Sequence, residues 1–224
     1  MIPTPDLSHL TREDYEHVYE PAEDTFILLD ALEQDAEELR SISPLVCLEI
    51  GSGSGCVSSF VGSILGDSAA LYLATDINPN ACKCTQRTGR QNKIPVEPIT
   101  ASLVGPLLPR LRHSVDILLF NPPYVPTFSS EADDAQQDAD IAGAWAGGSD
   151  GMEVTDILLE EVEAYGVRPQ DLLSPKGRFY LVAVKQNDLS NICKRMLLKH
   201  KLKGEVVLQR RAGREHLFVL RFTR

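Results

Sequence analysis

"LVCLEIGSGSGCVSSFVGSIL", residues 45–65, decides how the rest of the chain is read. It opens as a continuous apolar run, "LVCLEIG" (45–51), of the kind that forms a strand buried on both faces. Gly51, Gly53 and Gly55 then make a turn, and a second apolar run of helical length follows. A strand that passes through a glycine turn into a helix is the first half of a βαβ unit.

The same alternation extends in both directions. Upstream, the pattern predicts a helix from Pro21 to about Arg40. Pro21 suits its first turn, Glu23 and Asp24 complement its dipole, and Phe26, Leu29, Leu32, Ala36 and Leu39 form one stripe. Residues 1–19 read as a partly ordered arm, and Ser43-Pro44 breaks the helix. Downstream come a strand over 70–77, a helix over 79–91, a short strand over 96–102 and a strand over 115–121. A helix over 153–165, a strand over 177–184 and a helix over 188–200 follow. Two closing strands, 204–210 and 215–222, flank a turn containing Gly213. Alternating strands and helices give an α/β fold with a doubly wound, mostly parallel sheet, and the closing pair adds an antiparallel hairpin at one edge. Seven strands with an N-terminal helical extension are expected, in a single domain spanning 1–224. Between Pro126 and Met152 the periodicity stops, and a loop that long in a compact domain reads as a substrate loop.

Composition narrows the partners. The chain has 224 residues, 43% of them hydrophobic, enough for one sizeable core. Against 22 basic residues stand 32 acidic ones, a formal net charge of −10. Such a surface repels phosphate backbones and disfavours unaided binding to duplex nucleic acid. Five cysteines (Cys47, Cys56, Cys82, Cys84 and Cys193) form no C-x-x-C pair and have no His at zinc-ligand spacing, so they read as reduced thiols and no metal site is expected in this chain. No leader-like N-terminus and no apolar run of about 18 residues is present, so the expected setting is soluble and intracellular.

The glycine turn carries the first piece of chemistry. Glycines there let backbone approach a ligand, and the following helix presents free N–H groups. The next strand ends in Asp76, 25 residues beyond Gly51, where doubly wound folds place a carboxylate on a ribose hydroxyl pair. Ile77 follows it against the same ligand. Glu49 is an acid inside an otherwise apolar strand, and such burial needs a partner. The G-x-G-x-G spacing and that acid point away from a dinucleotide and towards S-adenosylmethionine, whose sulfonium and ammonium give Glu49 a use.

The second piece is "LLFNPPYVPT", residues 118–127. Two prolines end a buried strand and stiffen the segment after it, holding Asn121 beside Tyr124. The whole pattern, "NPPY" after the fourth strand with "LEIGSGSG" upstream, resembles the class I S-adenosylmethionine-dependent methyltransferases that modify planar amino groups. "YEPAEDTFILLDAL" (19–32), "TDINPNA" (75–81) and "AWAGGSDG" (144–151) narrow the resemblance to the eukaryotic HemK-like branch, the release-factor glutamine methyltransferases.

That resemblance implies N5-methylation of the glutamine in the Gly-Gly-Gln loop of the class I translation termination factor, presented in complex with its GTPase partner. Asn121 Oδ1 and the Pro122 carbonyl would accept the two amide N–H bonds, with Tyr124 against the planar amide and Pro123 and Val125 completing the substrate side; Trp145 reads either as a lid aromatic over the substrate or as a buried anchor of its loop. Glu23 and Thr25 would join Glu49, the three glycines, Asp76, Ile77, Ser102, Leu103 and Asn121 around S-adenosylmethionine, the product being S-adenosylhomocysteine. Relatives usually carry an acid where Ser102 stands, so the adenine amino group loses a charged partner here. A small zinc-binding activator subunit is implied along the sheet edge near 96–102, whose Pro95 and Pro98 equally suit an edge that protects itself. The expected location is the cytoplasm, with the nucleus as a second compartment. Lysine methylation on histone H4 and N6-adenine methylation of DNA are the alternatives within the class. Outside it stand a nicotinamide-dependent oxidoreductase, for which no His or Tyr-Lys set lies near the glycine turn, and a non-catalytic scaffold, which would have no use for Asn121.

Overall fold

The computed structural model describes residues 1–124, 151–160, 172–213 and 215–224. Seven strands form one sheet: β1 Val46–Ile50, β2 Leu71–Asp76, β3 Val96–Thr100, β4 Val115–Phe120, β5 Leu173–Val184, β6 Lys203–Ala212 and β7 Glu215–Thr223. Their order is β3-β2-β1-β4-β5-β7-β6. Neighbours pair in parallel except β7, which runs antiparallel to both β5 and β6 between them. The expected hairpin is therefore present, with Ala212 paired to Glu215 across the turn at Gly213.

Pleating sorts the side chains of the central strands onto two faces. Cys47, Ile117 and Leu119 pack on one face with Phe60 and Val61, while Leu48, Ile50, Leu118 and Phe120 pack on the other with Leu158 and Met196. Burial on both faces explains why β1 and β4 read as unbroken apolar runs. The first face is covered by helices α2 Glu23–Gln34, α3 Ala36–Ser41 and α4 Cys56–Leu65; α5 Pro79–Gln91 packs on β2 and β3. Among the described residues, no helix is long and apolar enough to cross a membrane.

Two sequence expectations are corrected here. The single helix over 21–40 is two helices, because Asp35 leaves the helical ladder at φ −90°, ψ 5°. Its buried carboxylate accepts from the Tyr180 hydroxyl at 2.7 Å and from Arg221 at 2.8 Å, bonds that draw the chain onto the sheet. Of the expected stripe, Leu29, Leu32, Ala36 and Leu39 are buried, joined by Ile27, Leu28 and Ala31, whereas Phe26 is 37% exposed.

The N-terminal arm is fixed along its length rather than partly ordered. A short helix, α1 Arg12–Tyr15, is capped by Thr11 and Asp14 in a reciprocal box. Arg87 of α5 holds Asp14 through two bonds of 2.7 and 3.0 Å and the His9 carbonyl through a third of 2.7 Å. Leu10 and Val18 are buried against Ala81 and Cys84 of the same helix. Sequence periodicity could not reveal this, since the partners lie about seventy residues away. The arm consequently packs along α5.

Candidate active site

In the sheet order, the chain turns back on either side of β1, so the carboxyl ends of β1, β2 and β4 open into a crevice, the place where doubly wound sheets bind ligands. A cavity of about 230 Å³ occupies it. Glu49 to Ser54, Asp76 and Ile77, Ala101 to Leu103, Asn121 and Pro123 line it from the strand ends; Val18, Tyr19, Pro21, Asp24 and Thr25 close it from the arm and α2.

The three glycines do different work. All have positive φ (69°, 51° and 78°). A Cβ on Gly53 would meet nothing within 4 Å, so the missing atom leaves the floor of the cavity open. A Cβ on Gly55 would stand 2.6 Å from the Thr85 Cα, so that glycine lets α4 pack against α5. Gly55→Ala is therefore expected to destabilise the fold by about 2–4 kcal/mol. Gly53→Ala is expected to cost about 1 kcal/mol, for its backbone conformation alone. Denaturant midpoints of the two variants, measured side by side, check the difference.

Alternation along β1 turns Glu49 to the same face as Cys47, towards the start of α4. Its Oε2 accepts from the Ser58 N–H at 2.9 Å and from the Ser58 hydroxyl. The side chain is 4% exposed, and burial pushes its pKa up to about 8, with the Ser58 bonds opposing the shift. Asp76, at the end of β2, accepts from the N–H groups of Gly53 and Asn78, both at 2.9 Å. Burial also raises its pKa, and those two donors restrain the rise. Asn78 caps α5 and donates its side-chain N–H to the His17 carbonyl at 2.8 Å, tying the arm to the same loop.

Asn121 sits where β4 ends. Its Nδ2 donates to Asp24 Oδ2 at 2.8 Å, and its Oδ1 is buried with no hydrogen-bond partner among the described residues. A buried unpaired acceptor is costly, of order 1–3 kcal/mol, and marks a position prepared for a donor from elsewhere. Asp24 also accepts from the Tyr19 hydroxyl at 3.2 Å, and its charge, after burial, helps raise the pKa of Tyr124.

Most of the residues singled out in the sequence meet at this cavity: Thr25, Glu49, Gly51, Gly53, Asp76, Ile77, Ser102, Leu103, Asn121 and Pro123 all line it. Glu23 does not. Helical geometry turns it away from its neighbour, to a 59% exposed position 3.8 Å from Arg210. Asp24, its neighbour, is 4% exposed and does line the cavity. Pro122 is buried beside the cavity, and Tyr124 joins the core cluster under α2 instead of offering its ring to the cavity. A Cβ on Gly151 would lie 2.2 Å from the Tyr124 carbonyl, which locks "NPPY" against the end of the "AWAGGSDG" segment. Val125, Trp145 and nearly all of the 126–152 loop lie outside the described residues. Val154 and Ile157, on a helix spanning Glu153–Glu160, line the cavity unannounced by the sequence, which marks them only as apolar. Among the described residues no group of three His, Cys, Asp or Glu side chains is placed to hold a metal ion, and all five cysteines are free.

No family model matches the chain. Methyltransferase HEMK2 of Homo sapiens is 49% identical over 221 residues, covering 99% of this chain and 96% of that protein. The eRF1 methyltransferase catalytic subunit mtq2 of Schizosaccharomyces pombe is 44% identical over 238 residues, covering 100% and 96%. Among solved structures, the E. cuniculi Mtq2-Trm112 complex responsible for methylation of the eRF1 termination factor matches with a TM-score of 0.64 and 25% identity, over 92% of this chain and 98% of that one.

Proposed function

Because the chain belongs to the HEMK2 and Mtq2 family of methyltransferases, we propose that it methylates the side-chain amide of the glutamine in the Gly-Gly-Gln motif of the eukaryotic class I release factor. It does so as the catalytic subunit of a heterodimer with a small zinc-binding activator. The observation that carries the reading is the buried Oδ1 of Asn121, without a partner among the described residues, in the lining of the cavity at the glycine turn.

The cavity suits S-adenosylmethionine. The open space over Gly51 and Gly53 admits a ligand where any Cβ would intrude. Asp76 and Ile77 would serve the ribose, Ser102 and Leu103 the adenine, and Glu49 and Thr25 the methionine end; all six line the cavity. When bound, the cofactor supplies an electrophilic methyl group on a sulfonium and yields S-adenosylhomocysteine as product. An amide nitrogen is a weak nucleophile because its lone pair is shared with the carbonyl. Asn121 Oδ1 and the Pro122 carbonyl accept its two N–H bonds, aim the nitrogen and steady the charge that develops on it. Prolines at 122 and 123 keep both acceptors still.

Ser102 tests the adenine end. An acid there would add a charge-assisted bond to the adenine amino group. Ser102→Asp is expected to tighten S-adenosylhomocysteine binding about fivefold to tenfold, as measured by titration calorimetry.

The activator is assigned to β3, which ends the sheet and keeps Pro98 and Ile99 half-buried. A strand edge offers main-chain bonds to a partner that adds a strand or a loop. The proposed location is the cytoplasm, where release factors act, and the nucleus as well.

The deciding experiment is transfer of labelled methyl groups by the chain co-expressed with its activator. Acceptors are the release factor bound to its GTPase partner, the same factor with its motif glutamine changed to alanine, a histone H4 tail and duplex DNA. Label on the first and not the second is the expected result. Label confined to the histone tail or to DNA overturns the proposed substrate and leaves the cofactor assignment standing.

A further inference from the structure

Asp24 brings three separate segments to one carboxylate: Tyr19 of the arm, its own helix α2, and Asn121 with Tyr124 from the end of β4. We infer that Asp24 is a positioning residue for methyl transfer, one that sets which atom of the Asn121 amide faces the substrate. The inference rests on the proposed amide-methylating role of the cavity and adds a residue to it.

The amide of an asparagine has two nearly isosteric ends, one an acceptor and one a donor. Only the acceptor end can receive a substrate N–H. Rotation by 180° about the last side-chain bond would present a donor instead, and two donors repel. Asn121 carries nothing within itself to prefer one orientation. Asp24 supplies the preference, because a carboxylate only accepts. With Nδ2 bonded to Asp24 Oδ2 at 2.8 Å, Oδ1 is the end left over, and Oδ1 is the atom found buried without a partner. The reverse orientation would bring oxygen against oxygen at that distance.

The charge adds a second effect. A hydrogen bond from Nδ2 to a carboxylate polarises the amide, and in a dry site such chains of bonds strengthen one another. Oδ1 becomes a better acceptor for a nitrogen that grows positive as it is methylated. Asp24 is itself held by the Tyr19 hydroxyl on Oδ1, and its carboxylate lies near enough to Tyr124 to help raise that phenol's pKa. Burial and the nearby carboxylate raise the pKa of both tyrosines, so they stay donors at neutral pH.

The test uses the heterodimer. Asp24→Ala is expected to lower kcat on the release factor about 100-fold, the scale of a misplaced reacting group. Asp24→Asn, nearly isosteric but able to donate, is expected to lower it about tenfold or more. Asn121→Asp sets two carboxylates face to face and is expected to be as impaired as Asp24→Ala. In the double variant Asp24→Asn with Asn121→Asp, a donor again meets an acceptor and an oxygen again faces the substrate. Its kcat is expected to exceed both singles by about tenfold, since coupled pairs depart from additivity in this way. A purely structural role for Asp24 predicts a double variant no better than the worse single, and that result overturns the inference. A second readout needs no release factor. With ¹⁵N-labelled asparagine, one Asn121 Nδ2 proton is expected to exchange slowly in the native heterodimer and rapidly in Asp24→Ala. Equal exchange in both overturns the inference. Absence of transfer by the native enzyme would instead count against the proposed function, while the exchange measurement would still decide the role of Asp24.

Discussion

Asn121→Ala is expected to lower methyl transfer to the release factor by about 1,000-fold, the upper range for removing one preorganised polar group from a reaction centre. The side chain supplies no nucleophile and no proton. It supplies one acceptor oxygen, buried and unpaired, held by a 2.8 Å bond from its nitrogen to Asp24. Alanine removes that acceptor and leaves the carboxylate of Asp24 with the Tyr19 hydroxyl. The fold is expected to survive, with a loss of about 1–2 kcal/mol for the broken bond. Binding of S-adenosylhomocysteine is expected to change less than about tenfold, because Asp76, Glu49 and the glycine floor are untouched. Single-turnover rates at saturating cofactor, set beside calorimetric affinities, separate the two effects. A variant that keeps a rate within tenfold of the native enzyme would show that the substrate nitrogen is aimed by something else.

Glu49→Gln is expected to weaken cofactor binding about 10-fold to 100-fold, the worth of a hydrogen bond to a charged group. It is also expected to remove a pH dependence. In the empty protein burial raises the pKa of Glu49 from 4.5 to about 8, so at pH 7 the acid is held mostly neutral. A cation bound beside it favours the carboxylate, and binding at pH 7 should release close to one proton. Calorimetry in buffers of different ionisation enthalpy reads that proton directly, and Glu49→Gln should release none. Stability follows the same linkage. The folded chain binds more protons than the unfolded chain between pH 4.5 and about 8, so stability falls as pH rises through that window. The contribution from the neutral acid is complete below pH 4.5 and is lost above pH 8. Thermal midpoints of the empty protein should decline across the window more steeply for the native chain than for Glu49→Gln. Parallel curves would show that Glu49 is ionised in the empty protein.

Determined by the sequence alone were the features that depend on local order. A glycine turn between an apolar strand and a helix, an acid at the end of the next strand and a proline-stiffened Asn121 all lie within short segments. Their meaning follows from backbone geometry and spacing, and Gly51, Asp76, Asn121 and Leu103 duly meet at one cavity. Glu49 was legible for the opposite reason, as a charge where the apolar pattern forbids one unless it has a partner.

Only the tertiary structure decided which acid of the "AED" triplet (22–24) faces the site, because Glu23 and Asp24 are equal as charges at a helix start. What separates them is the angle at which α2 lies on the sheet. That angle is set by the core packing of Ile27, Leu28, Ala31 and Leu32 and by the bonds of Asp35 to Tyr180 and Arg221, far along the chain. The same long-range partners fix the arm through Arg87 and Asp14 and carry Tyr19 to Asp24. A hydrogen bond between residues 97 positions apart, Asn121 to Asp24, leaves no periodicity in sequence, and it is the bond that orients the Asn121 amide.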